Sequence, residues 1–287
     1  MAAVAQRARQ PVSPASAAVF RIGFGLGGLI LVVRFLAKGW VETLFLEPAY
    51  HFPYPGFEWV QVWPGWGMYA HFAMIGLAAV GILLGFRTRI CALVFAVLLA
   101  YVELIDRTLY LNHYYWVILT ALVLAFLPMD RAYSVNARRH HGSESWIPSW
   151  VVWLLRFQVG MVYFFAGLAK LNADWLIHGE PMATWLPGRS GLPLIGPMLA
   201  LPATALVASW IGALFDLTIV FWLLNRRTRL AAFIAVTMFH TATWILFPSI
   251  GLFPLLMTMS ALIFFEPDWP ERFAPLRVGA KPEREFS

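Results

Sequence analysis

WVVWLLRFQVGMVYFFAGLAKLNADW, running from Trp150 to Trp175, decides the fold of this chain. Apart from Arg156, Gln158 and Lys170, residues 150–171 are apolar, aromatic or glycine. The run is long enough to cross a hydrocarbon core, which takes about 20 such residues. It ends by delivering one lysine, Lys170, to its far edge. A basic group there is costly and marks a functional site by default. The alternative is a lysine that buries its methylenes and snorkels its ammonium into the headgroups.

Comparable apolar runs occur at about 17–37, 67–86, 90–105, 113–129, 203–224, 230–247 and 250–265. The expected fold is therefore all-α, a polytopic membrane bundle of about eight transmembrane helices. Composition agrees. Of 287 residues, 60% are hydrophobic, 16% aromatic and only 13% charged, where soluble domains carry about 25% charge. Mean hydropathy is +0.69. Cys91 is the one cysteine and lies in an apolar run, which excludes a disulfide framework and a cysteine-based metal site. The net charge of +6 is spread over short loops between apolar segments. Membrane lipid is thus an expected partner and nucleic acid is not. The first run, Ala17 to Ala37, is too long for a cleaved signal peptide.

Loop charge orients the bundle. With a cytoplasmic N-terminus, the inner loops hold Arg87 and Arg89, then Arg131, Arg138 and Arg139, then Arg226, Arg227 and Arg229. The outer loops hold only Lys38, Arg107 and Arg189. The positive-inside rule then places both termini in the cytoplasm. The expected layout is a mobile tail over residues 1–16, a transmembrane domain over 17–270 and a cytoplasmic tail over 271–287. Two long loops rich in Pro, Gly and Trp, Lys38 to Trp66 and Asn172 to Pro202, fall on the outer side. There they are placed to cap a cavity, since irregular backbone at membrane depth must be buried in protein or wet. His113, Lys170 and His240 all fall in the outer half, on three different helices. A site there would face the extracytoplasmic side.

Arg156, Tyr163 and Lys170 are seven apart and form one stripe down a helix. Asp216 on the next helix falls at the depth of Arg156, which suggests a structural Arg156–Asp216 ion pair. His113, Trp116 and Thr120 share a face, with Asn112 beside them; Thr237, His240, Thr241 and Trp244 share another. A lone intramembrane histidine is often a hydrogen-bonded packing residue, but two histidines and a lysine at one depth point to a site. No i, i+4 histidine pair with a carboxylate set appears, so no metal is expected. Nucleophile-elbow, P-loop and GxGxxG motifs are also missing. What remains is an amine, imidazoles, an amide and aromatic walls. That set suits deprotonation of a flat, lipid-soluble phenol, because burial disfavours the charged form of an amine and lets it act as a base. Tyr163, Trp116 and Trp244 are the aromatic residues expected beside such a ligand.

YFFAGLAKLNADW (163–175), with LNHYYW (111–116) upstream and FHTATWILFPSIGLFP (239–254) and FFEPDWP (264–270) downstream, resembles the membrane domain of the vitamin K-dependent gamma-carboxylases. That domain is also called the horizontally transferred transmembrane (HTTM) domain. The similarity covers roughly residues 17–275. The resemblance implies an epoxidising carboxylase cofactor cycle, in which a lysine deprotonates vitamin K hydroquinone and oxygen adds to it. The resulting alkoxide removes a gamma proton from a peptide glutamate, and carbon dioxide traps the carbanion. On matching motifs, Lys170 would be the base. Asn112 and His113 would position groups for the carbanion or carboxylation step, and His240 would lie beside the quinone. The motif departs from the family pattern at Ala169, Asn172 and Leu111. Animal members carry a large luminal domain after the bundle, so the expectation here is a short form without it.

The leading expectation is thus a membrane enzyme using vitamin K hydroquinone or menaquinol, with oxygen and carbon dioxide as co-substrates. Its outer-side partner would be a peptide, protein substrate or separate subunit. The rival is a non-catalytic quinone- or lipid-binding membrane protein, or a partner subunit for a secreted peptide. A transporter or proton channel fits less well, because no inverted repeat is evident.

Overall fold

The computed structural model describes residues 6, 8–139 and 146–274. All the apolar runs are helical. Eight helices carry the fold among the described residues: α1 (Ala15–Ala37), α2 (Trp66–Leu84), α3 (Thr88–Ile105), α4 (Asn112–Phe126), α5 (Ser149–Ala169), α6 (Pro202–Leu224), α7 (Arg229–Leu246) and α8 (Phe253–Ala261). A 3-10 turn, Leu262–Phe264, extends α8. Six of them, α1, α2, α3, α5, α6 and α7, are long and apolar enough to cross a membrane; the helices Asn112–Phe126 and Phe253–Phe264 are shorter. At about 1.5 Å per residue those two do not reach the thickness of a hydrocarbon core.

The chain divides into two units, residues 1–154 with 266–287, and residues 155–265, the boundary falling within α5. In the first unit, α1 packs along α2, α2 along α3, and α3 along α4. Glycine sets the closest approach: a Cβ at Gly25 would meet Leu83 N at 2.5 Å, so α1 and α2 touch backbone to backbone. Arg21, fully buried on α1, completes this corner. Its guanidinium donates to the carbonyls of Ile82 (2.6 Å) and Leu83 (2.7 Å) at the end of α2, and to Tyr133 O (2.7 Å). Carbonyls in the last turn of a helix have no partner within it and carry the negative end of its dipole, so a cation is favoured there.

The N-terminal tail expected to be mobile to residue 16 is tied down from Ala8 onward. β1 (Pro11–Val12) pairs antiparallel with β2 (Ile147–Pro148), Ser149 donates to Gln10 O and Ala8 O, and Ser13 donates to Glu271. Proline at Pro11 and Pro148 keeps this two-residue ladder short. Of the expected C-terminal tail, residues 271–274 are described, closing a 3-10 turn, Trp269–Arg272, that packs on α1; residues 275–287 lie outside the described residues.

In the second unit, α5 and α6 run antiparallel. A Cβ at Gly167 would meet Leu217 N at 2.8 Å, and one at Gly160 would meet Val220 at 3.3 Å. This register carries residues 202–214 of α6 past the end of α5. The loop after α5 fills the space beside them with helical turns at Ala173–Leu176, Met182–Trp185, Leu186–Arg189 and Gly196–Leu199. Two indoles staple it in place: Trp175 Nε1 donates to Ser209 O (2.6 Å) and Trp210 Nε1 to Leu176 O (2.7 Å). Leu186, Leu199 and Ala205 form a small core beneath it.

That register overturns the expected Arg156–Asp216 ion pair. The expectation assumed that α5 and α6 end flush at the outer side. Sliding α6 along α5 instead brings Asp216 level with Lys170. Arg156 donates to Ile263 O (2.9 Å), Phe264 O (3.3 Å) and Phe265 O (2.8 Å), capping the end of α8 as Arg21 caps α2. Arg229 does the same for α6 through Leu223 O and Leu224 O.

Candidate active site

Lys170 follows the last residue of α5, and its side chain folds back toward α6 rather than outward. Nζ donates to Asp216 Oδ2 at 2.6 Å and to Ala166 O at 3.1 Å. The indole of Trp175 lies against it, 4.9 Å from Nζ to the ring centroid. The lysine and aspartate side chains are 18% and 7% exposed, so the ion pair is largely withdrawn from solvent. This is not the geometry of a snorkelling lysine. Asn172 caps the turn that presents Trp175: its Oδ1 accepts from Trp175 N (2.9 Å) and its Nδ2 donates to Ala169 O (2.8 Å). The motif position occupied by Asn172 thus has a local task, which is to set the indole over the amine.

One and a half to two turns before Lys170, Tyr163 is 2% exposed and shares a 2.9 Å hydrogen bond with His240 Nε2 on α7. Phe215, next to Asp216, packs edge-on to Tyr163 (5.9 Å) and stacks on Phe239 (4.0 Å, 14°), the neighbour of His240. Phe253 closes on the imidazole from α8 at 6.1 Å. Two polar pairs therefore lie about two turns apart along α5, among aromatic rings: a charged pair, Lys170–Asp216, and a hydroxyl–imidazole pair, Tyr163–His240. His240 is buried, and its Nδ1 has no hydrogen-bond partner among the described residues. A buried imidazole nitrogen of that kind is a hydrogen-bonding position for a ligand. An amine–carboxylate pair, an imidazole nitrogen and aromatic rings fit a phenolic ring with its hydroxyl groups.

The structure thus joins two of the expected site residues, Tyr163 and His240, and gives the third, Lys170, an unexpected partner in Asp216. Trp244, one turn beyond His240, is 56% exposed, so the face that the two were expected to share is enclosed at only one of them. Asn112, His113 and Trp116 belong to the first unit. Asn112 opens α4, His113 lies edge-on to Tyr114 at 4.5 Å, and Trp116 is buried with no partner for Nε1 among the described residues. Sequence reading missed Trp175 and gave Asp216 the wrong partner. The tryptophan was visible in the quoted stretch but lies in a loop with no helical phase to assign it.

No solved structure matches the chain. The family model described as the HTTM domain matches residues 9–269, most of its length. Together with the apolar helices, that match marks an integral membrane protein. The chain belongs to the HTTM-domain family, as its likeness to the membrane domain of the gamma-carboxylases implied.

Proposed function

We propose that this protein is a quinol-using membrane enzyme related to the vitamin K-dependent gamma-carboxylases, in which the Lys170–Asp216 pair accepts the proton of a hydroquinone hydroxyl. One observation carries the reading: a nearly buried amine–carboxylate pair at 2.6 Å, set beside a buried hydroxyl–imidazole pair with a spare ring nitrogen. When bound, vitamin K hydroquinone or menaquinol supplies the acidic phenol and the ring that oxygen attacks on the way to an epoxide.

The residues divide the work as follows. A proton moving from Lys170 Nζ to Asp216 Oδ2 leaves an uncharged amine. That amine takes up the phenolic proton, so the net change is one negative charge transferred from Asp216 to the phenolate oxygen. The regenerated ammonium then faces that oxygen. Trp175 holds the amine in place and Asn172 holds Trp175. His240, oriented by Tyr163, offers Nδ1 to a ligand oxygen, while Phe215, Phe239 and Phe253 exclude water. Asn112 and His113 are assigned to a carboxylation step on a peptide glutamate, with carbon dioxide as co-substrate. Loop charge supports cytoplasmic termini and a site opening to the extracytoplasmic side.

The test is to supply purified protein with reduced vitamin K or menaquinol and oxygen, and to measure epoxide. Wild-type protein is expected to form it and Lys170→Ala to fail. Equal yields from the two would remove Lys170 from the reaction. Saturable quinol binding with no oxygen uptake would instead favour the non-catalytic binding protein.

A further inference from the structure

We propose that the C-terminal end of α1 is an oxyanion-binding site built on Arg34, Lys38 and Trp40. These residues belong to the first unit. Arg34 Cζ lies 5.3 Å and Lys38 Nζ 5.1 Å from the centroid of the Trp40 ring, so two cations converge on one indole. Neither forms an ion pair among the described residues, where the ion pairs are His51–Asp106 and Lys170–Asp216. Arg34 is half-buried, and its charge acts on His113 and Tyr114 at the start of α4. Phe35 fixes the arrangement from below, edge-on to Trp40 (5.3 Å) and 6.2 Å from Tyr114.

Arg34 and Lys38 are one turn apart, and like charges at that spacing repel. The negative end of the α1 dipole favours a cation here, but it does not require two on the same ring. An oxyanion between them relieves the repulsion. Guanidinium binds a carboxylate or phosphate through two parallel N–H···O bonds, and here it is held against the Trp40 ring at 5.3 Å. Lysine adds a point charge with reach. The shared ligand chemistry is a carboxylate or phosphate group, from either an anionic lipid headgroup or a water-soluble molecule. The inference is independent of the quinol reading, and its assay contains no quinol.

The experiment compares wild-type protein with Arg34→Gln, Lys38→Gln and the double variant, in neutral detergent. Soluble oxyanions are probed by NMR line broadening of inorganic phosphate and of ¹³C-acetate. Headgroups are probed by native mass spectrometry with phosphatidylglycerol against phosphatidylcholine. Wild-type protein is expected to bind at least one probe, and the double variant to bind it about tenfold more weakly at unchanged Tm. Phosphatidylglycerol retained against added phosphate assigns the site to a headgroup; displacement by phosphate or acetate assigns it to a soluble ligand. Binding that survives in the double variant, or no preference for any anion in the wild type, overturns the proposal. If the double variant does not fold, Arg34→Lys decides. Weaker binding at unchanged Tm supports a guanidinium fork, and unaltered binding overturns it.

Discussion

Lys170 Nζ lies 2.6 Å from Asp216 Oδ2, and this ion pair ties the end of α5 to the middle of α6. Removing one partner leaves the other charge largely buried, at a cost of about 3–5 kcal/mol. Asp216→Asn is therefore expected to lower Tm and to reduce epoxide formation by about 10²–10⁴-fold, the range for loss of a positioned proton acceptor. Replacing both residues, Lys170→Met with Asp216→Leu, should restore most of the stability and none of the turnover. Full activity in Asp216→Asn would show that the carboxylate takes no part in proton transfer.

Arg156 answers to a different partner. Its bonds to the carbonyls that end α8 are each of the charge-assisted kind, worth about 1.5–3 kcal/mol at most. Arg156→Met should lower stability by a few kcal/mol and leave quinol binding intact. A double-mutant cycle of Arg156 with Asp216 should give a coupling within about 0.5 kcal/mol of zero, as for independent sites. A coupling of several kcal/mol would revive the pairing that the helix register excludes.

Gly167 governs the same register. Its added Cβ would meet Leu217 N at 2.8 Å and the Leu217 side chain at 2.8 Å, so Gly167→Ala has to push α5 from α6. Overpacking of this kind costs about 1–3 kcal/mol. Thermal melting should register that loss, and turnover should fall with it because Lys170 and Asp216 separate. Gly188→Ala is the control, since nothing lies within 4 Å of its added Cβ.

Asp106, just beyond α3, supplies a pH dependence outside the spanning helices. Burial works against its ionisation. Hydrogen bonds from the Thr108 hydroxyl (2.7 Å) and N–H (2.9 Å), from the Phe52 backbone and from His51 (3.4 Å) outweigh that and hold its pKa below the ordinary 3.8. A carboxyl lowered on folding stabilises the fold above its unfolded value, and that contribution is lost as pH falls through the folded one. Wild-type Tm should therefore drop more steeply than that of Asp106→Asn below about pH 4. Parallel acid profiles would show that the 38–66 loop is anchored by other contacts.

The apolar runs made every long helix legible, because a hydrocarbon solvent demands them and little else in the sequence competes. Lys170, Tyr163 and His240 were legible as unusual groups in such runs. Their pairing was not. It depends on how far α6 slides past α5, and that is set by Gly167 against Leu217 and by the loop that Trp175 and Trp210 pin to α6. Neither contact has a periodic signature. The tether of the N-terminal tail escaped notice for a similar reason, since a two-residue ladder across Pro11 and Pro148 leaves no strand pattern.

The arginines that close helix ends also impose an order of assembly. Arg229 finds Leu223 and Leu224 a few residues earlier in the chain, and Arg21 meets its acceptors once α2 has been made. Arg156 is synthesised about a hundred residues before Ile263, Phe264 and Phe265. Through most of that interval a guanidinium on α5 is thus without the carbonyls that later hold it, so α8, made about a hundred residues afterwards, is the helix that locks the fifth in place.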